Sequence, residues 1–400
     1  MTGTIWRLSP TEHPGPAYVC MAAVDWWHDS HAHSEIQLMR RVARTRRVLF
    51  VNSIGLRLPM PGRTSQPLQR ILRKARNTLR FLSRPVPDLP DFHVLSPLVL
   101  PLYGSRTGRA LNGALVRTQL KLVGLALGLG RPVFVITMPT AWEVVRPVHR
   151  RALIVNKADK FSSLPDVDQA YIAGLERDLL VHADRVLYVS RELMAEDAPS
   201  VDGRAVFLDH GVDVEHFTRR PAEEVPADLA RLRRPRLGYF GVIDEYKLDL
   251  DLIARLAREI PEADVVLVGQ VSCAIDRFDG LDNVHCLGAR PYEEMPAYGS
   301  GFDVALMPYQ RNEWVQNINP IKLKEYLALG LAVVATDVPE VRRYADWVSI
   351  ADDADDFVAR VREAVATGGP SDPEGRRAAV ADASWDSRAA ELVALSEQGV

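Results

Sequence analysis

The sequence predicts an α/β protein built from two doubly wound, mostly parallel sheets. Three observations carry that expectation. First, 400 residues exceed one ordinary core and suit two domains of roughly 200 each. Second, short β-branched runs alternate with helical stretches, and glycines stand at strand ends such as Gly241, Gly269 and Gly288. Third, 302–338 reads strand, polar loop, helix, strand in one uninterrupted unit.

Composition narrows the class. The chain is 47% hydrophobic and 25% charged with a net charge of −3, as expected of a soluble globular protein. Cys20, Cys273 and Cys286 are few and far apart, which argues against a disulfide framework or zinc site and for a reducing compartment. The start, MTGTIWRLSPTEHPGP, lacks the basic-then-apolar layout of a signal peptide. The most apolar stretch, 120–129, is too short to span a bilayer. A soluble cytoplasmic protein is expected. The charge is uneven: 36–84 holds thirteen Lys and Arg and no Asp or Glu. Such a field attracts phosphates or the inner face of an anionic membrane. Without interleaved aromatics it does not suggest nucleic acid.

In chain order, 18–24 reads as a first strand ending in Asp25-Trp26-Trp27-His28-Asp29-Ser30-His31-Ala32-His33, with Ser34 as candidate helix cap. The histidines share one loop without helical ligand spacing, so His28, Asp29 and His31 are read as cleft-lining polar groups rather than metal ligands. A strand follows at 48–52. The segment 70–84, RILRKARNTLRFLSR, has apolar residues at helical spacing among arginines, as either a membrane-lying or an ordinary surface helix would. Strands are expected at 92–95 and 132–137, with a helix at 117–129 between them. The strand 153–157 delivers Asp159, the helix 168–182 and strand 185–189 come next, and 206–208 closes the first half. His210-Gly211-Val212-Asp213 follows, Gly211 allowing close backbone approach and Asp213 fixing a turn. Prolines at 221, 226 and 235 mark 219–235 as a linker between domains 1–218 and 236–383.

The second half repeats the strand–helix alternation, the sign of a Rossmann-like sheet. No GxGxxG occurs, against a dinucleotide cofactor. At its centre, Phe302–Tyr309 and Leu331–Thr336 are strands, Pro320 sits where a helix begins, and Gly330 ends that helix. Loop 310–319 and the helix start then lie at the C-terminal ends of parallel strands, where open sheets bind ligands. Free N–H groups and a positive helix end suit a phosphate there. Lys322 adds a cation, and Glu325 can accept from a sugar diol. The Asp-x-Asp triplets at 166–168 and 249–251 fall at helix starts rather than in a metal–diphosphate loop.

The segment PIKLKEYLALGLAVVATDVPEV resembles the nucleotide-sugar site of GT-B glycosyltransferases, particularly the teichuronic-acid and exopolysaccharide branches. HGVDxxxF resembles the hinge-proximal signature of the same superfamily, and 153–196 is similar to the inverting xanthan glucuronosyltransferase type. The resemblance implies two Rossmann-like domains facing a central cleft, with a C-terminal helix (384–400) crossing back to the first. It implies a metal-independent, hexosyltransferase-like enzyme of polysaccharide biosynthesis, with no cofactor beyond its nucleotide diphosphate sugar. The acceptor would be a glycan, glycolipid or small molecule, and 36–84 would touch an anionic membrane. Lys322, with the helix start at Asn319 and Ile321, would hold the pyrophosphate, and Glu325 the ribose. Asn317 replaces a second Glu common among relatives. Lys247 would be a second phosphate cation, Arg290 would lie in the loop that seats the base, and Tyr309 and Gly241 would complete the donor site. Asp159 would be the catalytic base of an inverting transfer, and His210 and Gly211 would join the acceptor side. Two other readings stay open: a non-hydrolysing nucleotide-sugar epimerase, and a non-catalytic membrane- or anion-binding protein of the same fold.

Overall fold

The computed structural model describes residues 13, 15–27, 31–55, 80–100, 102, 105–164 and 167–397. His28, Asp29, Asp166 and most of the basic segment 70–84 lie outside them. The chain divides into two compact units. The first comprises Met1–Tyr188, Glu196–Leu208 and Ala389–Val400; the second comprises Val189–Ala195 and Asp209–Arg388.

The first unit holds strands β1 (Tyr18–Met21), β2 (Val48–Val51), β3 (Leu82–Ser83), β4 (Phe92–Leu95), β5 (Val133–Ile136), β6 (Ala152–Lys157), β7 (Arg185–Tyr188) and β8 (Ala205–Phe207). Their order across the sheet is β3-β4-β2-β1-β5-β6-β7-β8. All neighbours are parallel except the short β3–β4 pair. Tyr18 sits between Val48 and Val133. The runs YVCM, VLFV and VFVI are buried along their whole length, as strands covered on both faces must be.

Helices named below are α1 (Ser34–Val42), α2 (Arg106–Ala126), α3 (Gln169–His182), α4 (Leu250–Glu259), α5 (Ile321–Ala328) and α6 (Trp385–Glu397). Ser34 is the first residue of α1 and His33 its cap, which uses no side chain. Asp168 and Asp249 cap α3 and α4, accepting from the N–H groups of Tyr171 and Leu252 at 3.1 and 2.9 Å. Helix α2 starts eleven residues before the expected Arg117. Gly108 and Gly113 argue locally against helix, but Gly108 is needed for packing and Gly113 sits close to a neighbouring carbonyl. A Cβ at 108 would stand 2.1 Å from the Leu102 carbonyl, and one at 113 would stand 3.3 Å from that of Glu143. The end of α6 belongs to the first unit: the Tyr18 hydroxyl lies 2.6 Å from Ser396 Oγ, and Arg46 Nε donates to Glu397 at 2.9 Å.

The second unit holds β9 (Arg236–Phe240), β10 (Asp264–Val268), β11 (Val284–Gly288), β12 (Val304–Met307), β13 (Ala332–Thr336) and β14 (Ser349–Ala351). The sheet is parallel throughout, in the order β11-β10-β9-β12-β13-β14. This is the Rossmann order, with the chain reversing direction across the sheet between β9 and β12. Helix α4 buries Leu250, Leu252, Ile253 and Leu256. In 219–235, Leu229 is fully buried.

Candidate functional site

The order of the second sheet reverses between β9 and β12, and open α/β sheets bind ligands at the strand ends beside such a point. Gly241 follows β9 with φ +143°, a conformation side chains rarely adopt. A Cβ there would lie 2.0 Å from Lys322 Cε, so the glycine makes the space that the lysine occupies. Gly269, after β10, clears the Gly241 carbonyl in the same way, since its Cβ would sit 1.7 Å from that oxygen.

Helix α5 begins after Pro320, with no side chain capping its first N–H groups. Lys322, in its first turn, places Nζ 5.9 Å from the centre of the Tyr239 ring. Glu325 is one turn further in and buried. Lys247 approaches from the loop after β9, its Nζ 5.1 Å from the centre of the Trp314 ring. Among the described residues, these three side chains make no hydrogen bond or ion pair. Burial lowers the Lys322 pKa and the nearby Lys247 charge adds to that, with Glu325 opposing. Burial pushes the Glu325 carboxyl up to about 7 against the pull of Lys322. Two cations that make no ion pair, one of them near the buried Glu325 carboxyl, beside a glycine-cleared helix start suit an anion.

Loop 310–319 is held over this site. Gln310 N–H donates to the Lys247 carbonyl at 2.8 Å and Asn312 Nδ2 to that of Tyr246 at 2.6 Å. Tyr309 is buried, with its N–H donating to Thr336 Oγ1 at 3.0 Å. Asn317 Nδ2 donates to the Glu313 carbonyl at 2.8 Å, and Ile321 is half-buried at the helix start. Arg290 pairs with Asp228 at 2.8 Å and with the Tyr298 hydroxyl at 2.6 Å. Asn319 is committed elsewhere: its Nδ2 donates to the Val189 carbonyl at 2.8 Å and to Asp209 Oδ1 at 2.7 Å.

That carboxylate is the centre of a network the motifs did not indicate. Lys324, wholly buried, donates to Asp209 Oδ1 at 2.8 Å. Arg343 reaches Asp209 Oδ2 at 3.3 Å and Glu340 at 2.9 Å, and Glu340 accepts the Arg191 N–H at 2.6 Å. Burial alone would raise the Asp209 pKa, but Lys324 and Arg343 outweigh it and hold the carboxyl at about 2. His210 is buried beside the Trp385 ring, and burial with the Lys324 charge drives it down to about 3. Gly211 packs against Trp385, which a Cβ would meet at 2.7 Å. Asp213 caps its turn, accepting the His216 N–H at 3.1 Å. The sequence signal for the network is slight, because Lys324 is one of three charged residues in α5, with Lys322 and Glu325.

In the first unit, Asp159 follows β6 and lines a small cavity with Thr137, Asn156, Phe161 and Glu176. Glu176 is held there by the Phe161 N–H at 3.0 Å and the Ser162 hydroxyl at 2.6 Å. The Oδ1 of Asn156 is buried without a partner. His31 packs on Trp26, ring centres 5.0 Å apart. Among the described residues, no group of three His, Cys, Asp or Glu could hold a metal, and no helix is long and apolar enough to cross a membrane.

Residues 234–367 match the family model of glycosyl transferases group 1. A putative teichuronic acid biosynthesis glycosyltransferase of Bacillus subtilis is 27% identical over 187 residues, 45% of this chain and 47% of that protein, about half its length. Sucrose-phosphate synthase of Thermosynechococcus elongatus superposes with a TM-score of 0.72 at 16% identity, covering 96% of this chain and 99% of that one. Anabaena HepE in complex with UDP and glucose gives 0.66 at 13% identity, covering 96% and 100%. This chain has the GT-B fold, and residues 234–367 of its second unit are similar to glycosyl transferases group 1.

Proposed function

We propose that this protein transfers a sugar from a nucleotide diphosphate sugar to an acceptor hydroxyl in polysaccharide biosynthesis. The observation that carries the reading is the pair of cations Lys322 and Lys247, neither of them in an ion pair, at the switch point of the second sheet. Lys322 and the start of α5 stabilise the departing diphosphate as charge builds on it. Glu325 holds the ribose. Asp159 takes the proton from the acceptor hydroxyl of a glycan, glycolipid or small molecule while the sugar is attacked from its far face. In this proposal electrostatics from the protein replace a metal, the enzyme works in the cytoplasm, and it contacts the inner face of an anionic membrane. The B. subtilis relative supports the polysaccharide context and HepE the donor class.

The test is thermal stability against UDP, GDP, dTDP and ADP, free and as sugar conjugates. A ligand at about 100 times its dissociation constant adds roughly 2.7 kcal/mol. One base should raise Tm, the shift should vanish in Lys322→Ala, and transfer with that donor should survive EDTA. No shift with any nucleotide overturns the donor site. Sugar interconversion without release of nucleotide diphosphate, with acceptor present, means an epimerase instead.

A further inference from the structure

We infer that Asn156 selects the acceptor: its buried amide receives a second hydroxyl of an uncharged polyol, such as a sugar residue, while Asp159 faces the hydroxyl that is glycosylated. This rests on the proposal that Asp159 is the base, and deepens it by naming the acceptor class. The first sheet reverses direction between β1 and β5, and the next strand out is β6. Open α/β sheets bind ligands at strand ends beside such a reversal. The ends of these two outer strands wall the cavity at Asp159, with Thr137 and Met138 from β5 and Asn156 and Lys157 from β6. Glu176 and Leu179 of α3 also line it.

Three polar side chains of this wall are committed within the protein. Thr137 Oγ1 accepts the Ala23 N–H at 2.8 Å and donates to Glu35 Oε1 at 3.2 Å. Lys157 Nζ donates to Asp197 at 2.5 Å, and the same carboxylate accepts from the Tyr188 hydroxyl at 2.8 Å. Glu176 holds the loop after β6 through Phe161 and Ser162. Asn156 differs from them. It is 3% exposed, and its Oδ1 has no partner among the described residues. A buried amide without a partner costs stability, so its place in the wall of a cavity calls for a ligand that supplies one.

Chemistry fixes the class of that ligand. An amide has an accepting end and a donating end, and a hydroxyl answers either one. An ionised phosphate or carboxylate only accepts. It would also face the carboxylates of Asp159 and Glu176, with the Lys157 cation already paired to Asp197. A simple alcohol reaches Asp159 but leaves Asn156 unpaired. A polyol satisfies both, and the aliphatic wall of Ile136, Val155 and Leu180 takes its C–H groups. The cavity is small, so it receives the hydroxyl-bearing edge of the acceptor and not the whole molecule. The glycosylated oxygen bonds to the anomeric carbon as the bond to the diphosphate breaks, and its proton passes to Asp159. Asn156 exchanges no proton. It fixes which oxygen stands at the base.

The full chain, with the nucleotide sugar that raises its Tm, is to be assayed for transfer to the methyl glycosides of glucose, galactose and mannose, to their monodeoxy analogues, and to butanol and butyl phosphate. At least one glycoside is expected to accept, and butanol and butyl phosphate are not. Removing one neighbouring hydroxyl from that glycoside should lower kcat/KM about 10–100-fold, the worth of one hydrogen bond to a buried group. Asn156→Leu, of similar shape, should make the parent glycoside and that deoxy analogue equal. Its Tm should stay at or above the wild-type value, because no hydrogen bond within the protein is lost. Asn156→Ser, which keeps a hydrogen-bonding group, should recover part of the preference. The same preference in wild type and Asn156→Leu overturns the inference and makes the amide a structural one bridged by water. So does transfer to none of the glycosides, or better transfer to butanol or butyl phosphate. The failures read separately: without a nucleotide-induced Tm shift the donor site fails, and with normal transfer by Asp159→Asn the base fails. If both hold and Asn156→Leu keeps the preference, only this inference falls.

Discussion

Lys324 Nζ lies 2.8 Å from Asp209 Oδ1 across 115 residues of sequence, and the lysine has no solvent exposure. The pair joins the segment after β8 to the helix that carries Lys322 and Glu325. Removing one partner leaves the other charged and buried, which costs about 3–5 kcal/mol. Lys324→Met is expected to destabilise by that order in urea unfolding. Lys324→Met with Asp209→Asn should cost less than the two singles added, because neither full charge is then stranded.

Acid should unfold this unit in two overlapping windows. His210 is held near 3, below its unfolded value of about 6.5, so the unfolded chain takes up the proton first. Stability is therefore lost as pH falls from about 6.5 towards 3. Asp209, held at about 2, adds a loss as pH falls from about 4 through 2. His210→Gln should flatten Tm against pH between about 6 and 4, the window set by the histidine. An unchanged slope would mean that the histidine is charged in the native protein.

Glu325 gives the opposite sign. Its carboxyl is raised to about 7, so the stability its neutral form contributes is full below about 4.5 and is lost as pH rises through 7. Glu325→Gln mimics the neutral form and should gain Tm relative to wild type above pH 7, while weakening any ribose contact that needs a second acceptor oxygen.

Gly241→Ala should remove nucleotide binding out of proportion to stability. Its φ of +143° strains any side chain by about 1–3 kcal/mol, and the new Cβ occupies the path of Lys322 Cε. The prediction fails if the variant melts near wild type and still shifts with nucleotide.

Asp159→Asn should retain the nucleotide-induced Tm shift and lose transfer by about 10²–10⁴, the usual contribution of a positioned base. Transfer near the wild-type rate would exclude Asp159 as the base and leave it a cavity-lining carboxyl.

The alternation of β-branched runs and amphipathic helices is local, so the two parallel sheets, the strand–loop–helix of 302–338 and the i, i+3 placing of Lys322 and Glu325 could be read from the chain. The capping aspartates at 168 and 249 were legible for the same reason. Helix α2 starts earlier than its local pattern suggests because the packing that requires Gly108 comes from Leu102, outside the helix. Tertiary structure also commits Asn319 and Lys324 to Asp209, and Arg290 to Asp228, while Lys322 and Lys247 enter no ion pair. Periodicity tells which face of an element turns inward. Whether a charge there meets a partner depends on which distant residue the sheet order delivers to it, and no local pattern encodes that.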